Sequence, residues 1–275
     1  MVSVATILCI VISLLVCLFL PIGLGAGFAL KNKKQGIVSA WLLGAAGFFV
    51  TQILIRVPIL MILQGQTWFL DFSQDHLFFC AFSLAFTAGL FELAGRFAVA
   101  KWLNKKRLNA KRSLAAGLGH GGIEAIVIAG VAMINNLAYA AMINSGAFDG
   151  VLAEAAAMGV DVSQLELIRD QLITYPSALF LLSGFERILA MTAHVAMSML
   201  VCYGVAHHKA LPCALVCLGI HTMIDLTAGL TLVLPQSVSY PIIYAILVAV
   251  AGVSVWIVQK IRRRWQSAPL KEVTL

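Results

Sequence analysis

The sequence predicts an all-α protein, a polytopic bundle of about seven membrane-spanning helices. Of its 275 residues, 61% are hydrophobic and only 11% are charged, and the mean hydropathy is +0.96. A soluble domain has about a quarter of its residues charged and under half apolar, so composition excludes soluble enzymes, disordered chains and disulfide scaffolds. Since one span needs about 20 apolar residues, seven spans leave no room for a large soluble domain.

Long apolar runs locate the helices. The predicted spans are residues 4–27, 37–63, 76–100, 114–134, 176–206, 211–234 and 240–259. The first run lacks the basic segment that opens a secretory signal, so we expect a retained helix. A loop over about 135–175 separates the fourth and fifth spans. We predict one integral membrane domain over 1–275, with its core in the spans at about 76–134 and 176–234.

The distribution of charge predicts the orientation of the chain. Fifteen of the 19 Lys and Arg residues fall in alternate gaps between spans and in the C-terminal tail, whereas acidic residues dominate the other gaps. The positive-inside rule then places the N-terminus and the 135–175 loop outside and the C-terminus in the cytoplasm. The fifteen are Lys31, Lys33, Lys34, Lys101, Lys105, Lys106, Arg107, Lys111, Arg112, Lys209, Lys260, Arg262, Arg263, Arg264 and Lys271.

The net charge of +7 is therefore attributed to basic residues that set the orientation of the chain and lie near the surface of the lipid bilayer. We expect a multi-pass protein of the cell membrane with no nucleic-acid partner. The sequence does not determine the oligomeric state.

Four spans carry ionisable residues inside otherwise apolar runs. Charges near the bilayer centre cost a few kcal/mol, so such residues usually face the interior of a bundle and mark function. They are Glu92 and Arg96 in the third span, His120 and Glu124 in the fourth, Glu186, Arg187 and His194 in the fifth, and His221 and Asp225 in the sixth. Because the second span carries only Arg56 and the first and seventh none, we predict a four-helix core with three peripheral helices.

The spacing of these residues predicts a shared site. Three pairs have i,i+4 spacing, which places both members on one helix face: Glu92/Arg96, His120/Glu124 and His221/Asp225. Counted at about 1.5 Å per residue from the predicted cytoplasmic ends, five residues reach about 10–19 Å into the membrane. These are Glu92, His120, Glu124, His194 and His221. Spans alternate in direction, so this convergence indicates a site in the inner half of the bilayer.

Two kinds of chemistry fit this set. A carboxylate beside imidazoles can activate water as a general base. Alternatively, His120, His194 and His221 with Glu124 could hold Zn²⁺, whose bound water attacks a carbonyl. The His-Glu-x-x-His signature of helical zinc proteases is missing. The glycines around His120 would let a neighbouring backbone approach closely.

Some of these residues could have a purely structural role instead. Glu92 and Arg96 could form an internal ion pair, and Asp225 could orient His221 for structure alone. Arg56 is interpreted as a contact between helices. Asn135 and Asn136 are expected to end the fourth span and to satisfy its last backbone groups.

These motifs resemble the YhfC family of predicted intramembrane metalloproteases over essentially the whole chain. The resemblance is carried by GLFELAGR at 89–96, GLGHGGIEA at 117–125, Phe185-Glu186-Arg187 with His194, and His221-x-x-x-Asp225. The family is similar in its four-helix core to the type II CAAX prenyl endopeptidases and to bacteriocin-processing membrane peptidases.

The resemblance implies a peptidase that hydrolyses a membrane protein or peptide from the cytoplasmic side, with Zn²⁺ or with a glutamate-activated water alone. It makes Glu92 the water-activating carboxylate, with Arg96 as its partner. It makes His120 an oxyanion or metal-binding residue and sets His221 with Asp225 in the last motif. The prenyl endopeptidases have two adjacent glutamates, but Phe91 and Leu93 flank Glu92, so the base remains either Glu92 or Glu124.

Two other classes of function remain open at the level of sequence. A proton- or cation-coupled carrier would use the same groups as a relay, and often has an inverted repeat, which the sequence does not show. A scaffold or immunity protein could retain the same core without catalysis.

Overall fold

The computed structural model describes residues 1–33, 35–105, 108–159 and 161–267. Within these ranges there are seven helices long and apolar enough to cross a membrane, and no strand. They are Val4–Lys31, Ile37–Gln64, Leu77–Asn104, Ala110–Ser145, Ser177–Ala206, Ala210–Val233 and Gln236–Gln266, named spans 1 to 7 in chain order. The predicted all-α fold with seven spans is confirmed.

The orientation of the chain in the membrane stays a prediction. Four of the basic residues on which it depends lie outside the described residues: Lys34, Lys106, Arg107 and Lys271.

The predicted end of span 4 is wrong. The helix continues through Asn135 and Asn136 to Ser145 and ends at Gly146, whose φ of 79° is left-handed. Asparagine is a weak helix former but no helix breaker, whereas glycine adopts positive φ without strain. The two asparagines are therefore polar residues within the helix and do not end it.

The loop between spans 4 and 5 is shorter than predicted and largely helical. It contains the helices Ala147–Ala157 and Ser163–Thr174. The backbone N–H of Ser163 donates a 2.9 Å hydrogen bond to Asp161 Oδ1, and this donation lowers the pKa of the Asp161 carboxyl group.

Two spans contain a π-helical segment, in which each backbone N–H bonds to the carbonyl five residues before it. In span 2 it covers Phe49–Arg56, and in span 4 it covers Ala125–Gly130. In span 2 the N–H of Val57 donates to the carbonyl of Gln52, and the next residue, Pro58, has no N–H to donate. The wider turn therefore falls where the regular hydrogen-bond pattern loses a donor.

The chain forms two compact units. The first comprises residues 1–22 and 125–188. Its core includes Ile10, Met133 and Leu172, all buried. The hydroxyl of Ser13 donates a 2.6 Å hydrogen bond to the carbonyl of Phe180, which ties two helices of this unit together.

The second unit comprises residues 23–124 and 189–275. Its buried core includes Leu103, Met197 and Val201. Spans 2 and 4 approach each other closely here, because a Cβ at Gly44 would lie 1.9 Å from the carbonyl oxygen of Ala116. Only a residue without a side chain permits that separation of the two backbones.

We predict that Gly44→Ala destabilises the protein, because the added methyl group would force spans 2 and 4 apart. Overpacking of this kind costs about 1–3 kcal/mol. The measurement is the midpoint of thermal unfolding in detergent. The control is Gly252→Ala in span 7, where a Cβ meets nothing within 4 Å. Equal unfolding midpoints for both variants would contradict the prediction.

Candidate functional site

The carboxylate of Glu92 in span 3 is the centre of the candidate site, and its side chain is only 4% exposed. Its Oε2 accepts a 2.9 Å hydrogen bond from Arg96 Nη2, one turn along the same helix. The Nε2 atoms of His120 and His221 lie 2.9 Å and 2.8 Å from the same oxygen. Its Oε1 accepts a 2.8 Å hydrogen bond from Gln52 Nε2. Spans 2, 3, 4 and 6 therefore all meet at one carboxylate.

His194 in span 5 connects this carboxylate with a second one. Its Nδ1 lies 2.6 Å from Arg96 Nη2 and 3.6 Å from Glu92 Oε2, and its Nε2 lies 2.6 Å from Glu124 Oε2. A guanidinium can only donate, so Nδ1 of His194 accepts and the ring proton sits on Nε2, the nitrogen that faces Glu124. The contacts with Arg96 and Glu124 thus fix the tautomer of His194.

His221 is placed between two carboxylates. Its Nε2 faces Glu92, and its Nδ1 lies 3.3 Å from Oδ2 of Asp225, one turn further along span 6. The side chain of Asp225 is 34% exposed. A carboxylate beside the far nitrogen of a histidine is the arrangement common around metal-binding histidines, where it orients the ring.

The glycines beside His120 bring neighbouring spans close to its ring, as the sequence predicts. A Cβ at Gly119 would lie 1.9 Å from the carbonyl oxygen of Trp41 in span 2, and a Cβ at Gly121 would lie 2.8 Å from Cβ of His194 in span 5. The ring of Phe48 meets the His120 ring edge-on at 5.3 Å between centroids. Backbone contact on both sides of span 4 therefore holds His120 against Glu92.

The predicted convergence is found in the structure. The site residues that it brings into one network of contacts are Glu92, Arg96, His120, Glu124, His194, His221 and Asp225. Glu186 and Arg187 lie in the first unit and pair with each other. The predicted interhelical contact of Arg56 is also found, because its Nη2 donates a 2.7 Å hydrogen bond to the carbonyl of Leu84 in span 3.

The prediction that span 2 is peripheral is wrong. Gln52, which is buried in its π-helical segment, reaches the central carboxylate. Only ionisable residues were expected at the site, and Gln52 has an uncharged amide. The available signal was a polar residue inside an apolar run, one turn before Arg56.

Three buried groups lie close enough together to hold a metal ion. Glu92, His194 and His221 each offer one ligand atom, and these atoms lie within 4.8 Å of one another. Two imidazoles and one carboxylate are a donor set typical of catalytic zinc, so the residues fit this metal in type and spacing. Arg96 Nη2 contacts both Glu92 Oε2 and His194 Nδ1, and Nδ1 has a single lone pair, so the guanidinium would have to move away from Nδ1 for a metal to bind there.

The predicted ligand set of His120, His194, His221 and Glu124 remains a prediction. His120 borders Oε2 of Glu92, and Glu124 contacts the far nitrogen of His194. The predicted catalytic roles of the site residues likewise stay predictions.

A small cavity adjoins the site on the other side of Arg96. It offers about 10 Å³ of room, close to what one ordered water needs. The guanidinium atoms Nε and Nη1 of Arg96 and the hydroxyl of Ser198 are buried without a hydrogen-bond partner in the part of the chain that the structure describes. Both residues line the cavity, as does His120. Polar groups on its wall make this cavity suitable for water.

Fold and site together define a multi-pass membrane protein with a buried glutamate–histidine centre built from five helices. The family described as YhfC intramembrane metalloprotease matches residues 16–248. The chain is also 31% identical over 270 residues to the uncharacterized membrane protein YhfC of Bacillus subtilis (strain 168), an alignment that covers 97% of this chain and 100% of that protein. The chain therefore belongs to the YhfC family and is a multi-pass protein of the cell membrane. No solved structure matches it.

We predict that Arg96→Met strongly destabilises the protein, because it leaves the Glu92 carboxylate buried without its cation. Removal of one partner from a buried ion pair costs about 3–5 kcal/mol. The double variant Glu92→Gln/Arg96→Met should regain part of this loss, since it removes the unpaired charge. Thermal unfolding in detergent measures both effects.

The matched control is Arg169→Met in the loop between spans 4 and 5. Arg169 pairs with Asp149 at 3.0 Å, but the Asp149 side chain is 78% exposed. Loss of an exposed pair costs about 0–1 kcal/mol. If Arg96→Met and Arg169→Met unfolded at the same temperature, the buried pair would have no special role in stability.

Proposed function

We propose that this protein is an intramembrane metalloprotease that hydrolyses a peptide bond in a membrane protein or peptide. The observation that carries the proposal is the buried cluster of Glu92, His194 and His221. Membership of a family described as intramembrane metalloprotease supports it. Burial of such a cluster within membrane spans favours a substrate segment that enters the bilayer, and the positive-inside rule favours entry from the cytoplasmic side.

In this proposal, Glu92 Oε2 and one ring nitrogen each of His194 and His221 would hold Zn²⁺. When bound there, zinc supplies Lewis acidity and lowers the pKa of a coordinated water to about 7. Asp225 orients the ring of His221 from the side opposite Glu92. Arg96 balances the charge of Glu92 in an apolar bundle.

The general base in this proposal is Glu124. The two oxygens of Glu92 already face four polar groups, from Gln52, Arg96, His120 and His221, which leaves little room for a reacting water. The side chain of Glu124 is 16% exposed, against 4% for Glu92. Glu124 Oε2 lies 2.6 Å from His194 Nε2, and Glu124 can take a proton from water at the rim of the cluster.

His120 and Arg96 can stabilise the negative charge that develops on the substrate carbonyl. Both present N–H donors within one small volume beside Glu92, and both are buried. Fixed donors in a site without bulk water stabilise a developing oxyanion strongly. We also propose that the core is similar to that of the type II CAAX prenyl endopeptidases and that the substrate is a membrane-associated peptide.

The metal site is tested by zinc content after purification in detergent. We expect about one zinc per chain in the wild type and none in His194→Ala/His221→Ala, since two of three ligands are then lost. The control His207→Ala/His208→Ala removes two histidines beyond the end of span 5 and should retain zinc. His120→Ala distinguishes the ligand sets, because it should retain zinc if His120 only faces Glu92. A wild type without zinc would contradict the metal site.

The general base is tested by separating cleavage from metal binding. We expect Glu124→Gln to retain zinc but lower cleavage by about 10²–10⁴-fold, the usual contribution of a general base. Glu92→Gln should lose both. New peptide termini in membranes that contain each variant, identified by mass spectrometry, report cleavage. The control Glu166→Gln changes an exposed glutamate outside the spans. Full cleavage by Glu124→Gln would exclude Glu124 as the base.

A further inference from the structure

We propose that Gln52 is a positioning residue that restricts Glu92 to binding a metal through one oxygen only. The inference rests on the proposed metal site and extends it to a residue outside the glutamate and histidine set. Gln52 lies in span 2 and is buried at 6% exposure. Its side chain contacts Oε1 of Glu92, whereas the three imidazoles of the site lie against Oε2.

The orientation of the Gln52 amide is determined by its neighbours. Its NH₂ group donates at 2.8 Å to Glu92 Oε1 and at 3.3 Å to the carbonyl of Ala88, and both of these are acceptors. Its oxygen lies 3.5 Å from Nη1 of Arg56, which can only donate. Reversal of the amide would set oxygen against two acceptors and NH₂ against a donor. The amide therefore presents NH₂ to Glu92 in one orientation only.

The π-helical segment of span 2 supports this placement. Gln52 and Arg56 both belong to it, and Arg56 also donates to the carbonyl of Leu84 in span 3. Span 2 is thus bound to span 3 at Leu84, Ala88 and Glu92, three positions at successive turns of one helix face. Single turns of π-helix occur frequently at functional sites, where they change the direction of a side chain.

The consequence concerns the two oxygens of Glu92. Gln52 occupies Oε1, while Oε2 faces Arg96, His120 and His221. A metal held by Glu92 with His194 and His221 would then meet Oε2, and a turn of the carboxylate to offer both oxygens would break the hydrogen bond from Gln52 to Oε1. One-oxygen binding would leave more room at the site for water than two-oxygen binding.

The experiment compares Gln52→Met with wild type after loading with Co²⁺, which replaces zinc and has a visible absorption that weakens as coordination number rises. Methionine keeps the length and apolar volume of the side chain but has no donor for Oε1. We expect about one cobalt per chain in both proteins, a weaker visible absorption in Gln52→Met, and about 10–100-fold weaker metal binding, as is typical when a partner of a ligand is removed.

Two further variants complete the comparison. Gln52→Leu also has no donor for Oε1 of Glu92 and should likewise weaken metal binding; it carries the comparison if Gln52→Met does not fold. Thr51→Val is the control. It removes a 2.8 Å hydrogen bond to the carbonyl of Gly47 in the same helix without touching Glu92, and should retain the wild-type spectrum.

The outcomes separate this inference from the proposed function. Cobalt bound by wild type and Gln52→Met with the same spectrum and affinity would overturn the role of Gln52 and leave the metal site standing. A wild type that binds no cobalt would overturn the metal site and this inference together. A change in Gln52→Met that Thr51→Val reproduces would show a general disturbance of span 2, and would also overturn the role of Gln52.

Discussion

The burial of one carboxylate inside an apolar helix bundle is the constraint on which the rest of the structure depends. An isolated charge at this depth costs several kcal/mol, so Glu92 requires a cation and enough donors for both oxygens. Arg96 supplies the cation one turn away, and Gln52, His120 and His221 supply contacts from three other spans. The position of each of these helices is therefore coupled to the same carboxylate.

Contacts of this length require helices that lie unusually close together. The carbonyl oxygens of Ala116 and Trp41 rest where a Cβ would otherwise stand, at Gly44 and Gly119. Small residues at such crossings are the usual means of close packing in membranes, because lipid provides no hydrophobic force to drive helices together. The glycines beside His120 are thus part of the polar site, since the hydrogen bonds to Glu92 depend on the separation that they permit.

The groups that stabilise the bundle are also the groups that the proposed metal site would use. The guanidinium of Arg96 contacts Glu92 Oε2 and His194 Nδ1, and Glu92 and His194 are two of the three groups that could ligate a metal. The buried Glu92 carboxylate needs a cation beside it whether or not a metal is bound. Glu124 and Asp225 lie at the partly exposed margins of the cluster, each against the far nitrogen of a histidine. The proposed hydrolysis would use both features, the neutralised charge at the centre and the partly exposed carboxylates at the margin.

The sequence by itself determined the seven spans and the residues that face the interior, because bilayer thickness sets the length of an apolar run and the cost of burial keeps ionisable residues away from lipid. The i,i+4 spacing also placed Glu92 with Arg96 and His221 with Asp225 on shared faces. Only the tertiary structure decided that Gln52 joins the site, that His194 pairs with Glu124, and that span 4 continues to Ser145. Helical periodicity fixes directions within one helix, whereas contacts between helices depend on their rotation, separation and local π-helical turns, which arise from packing of the whole bundle.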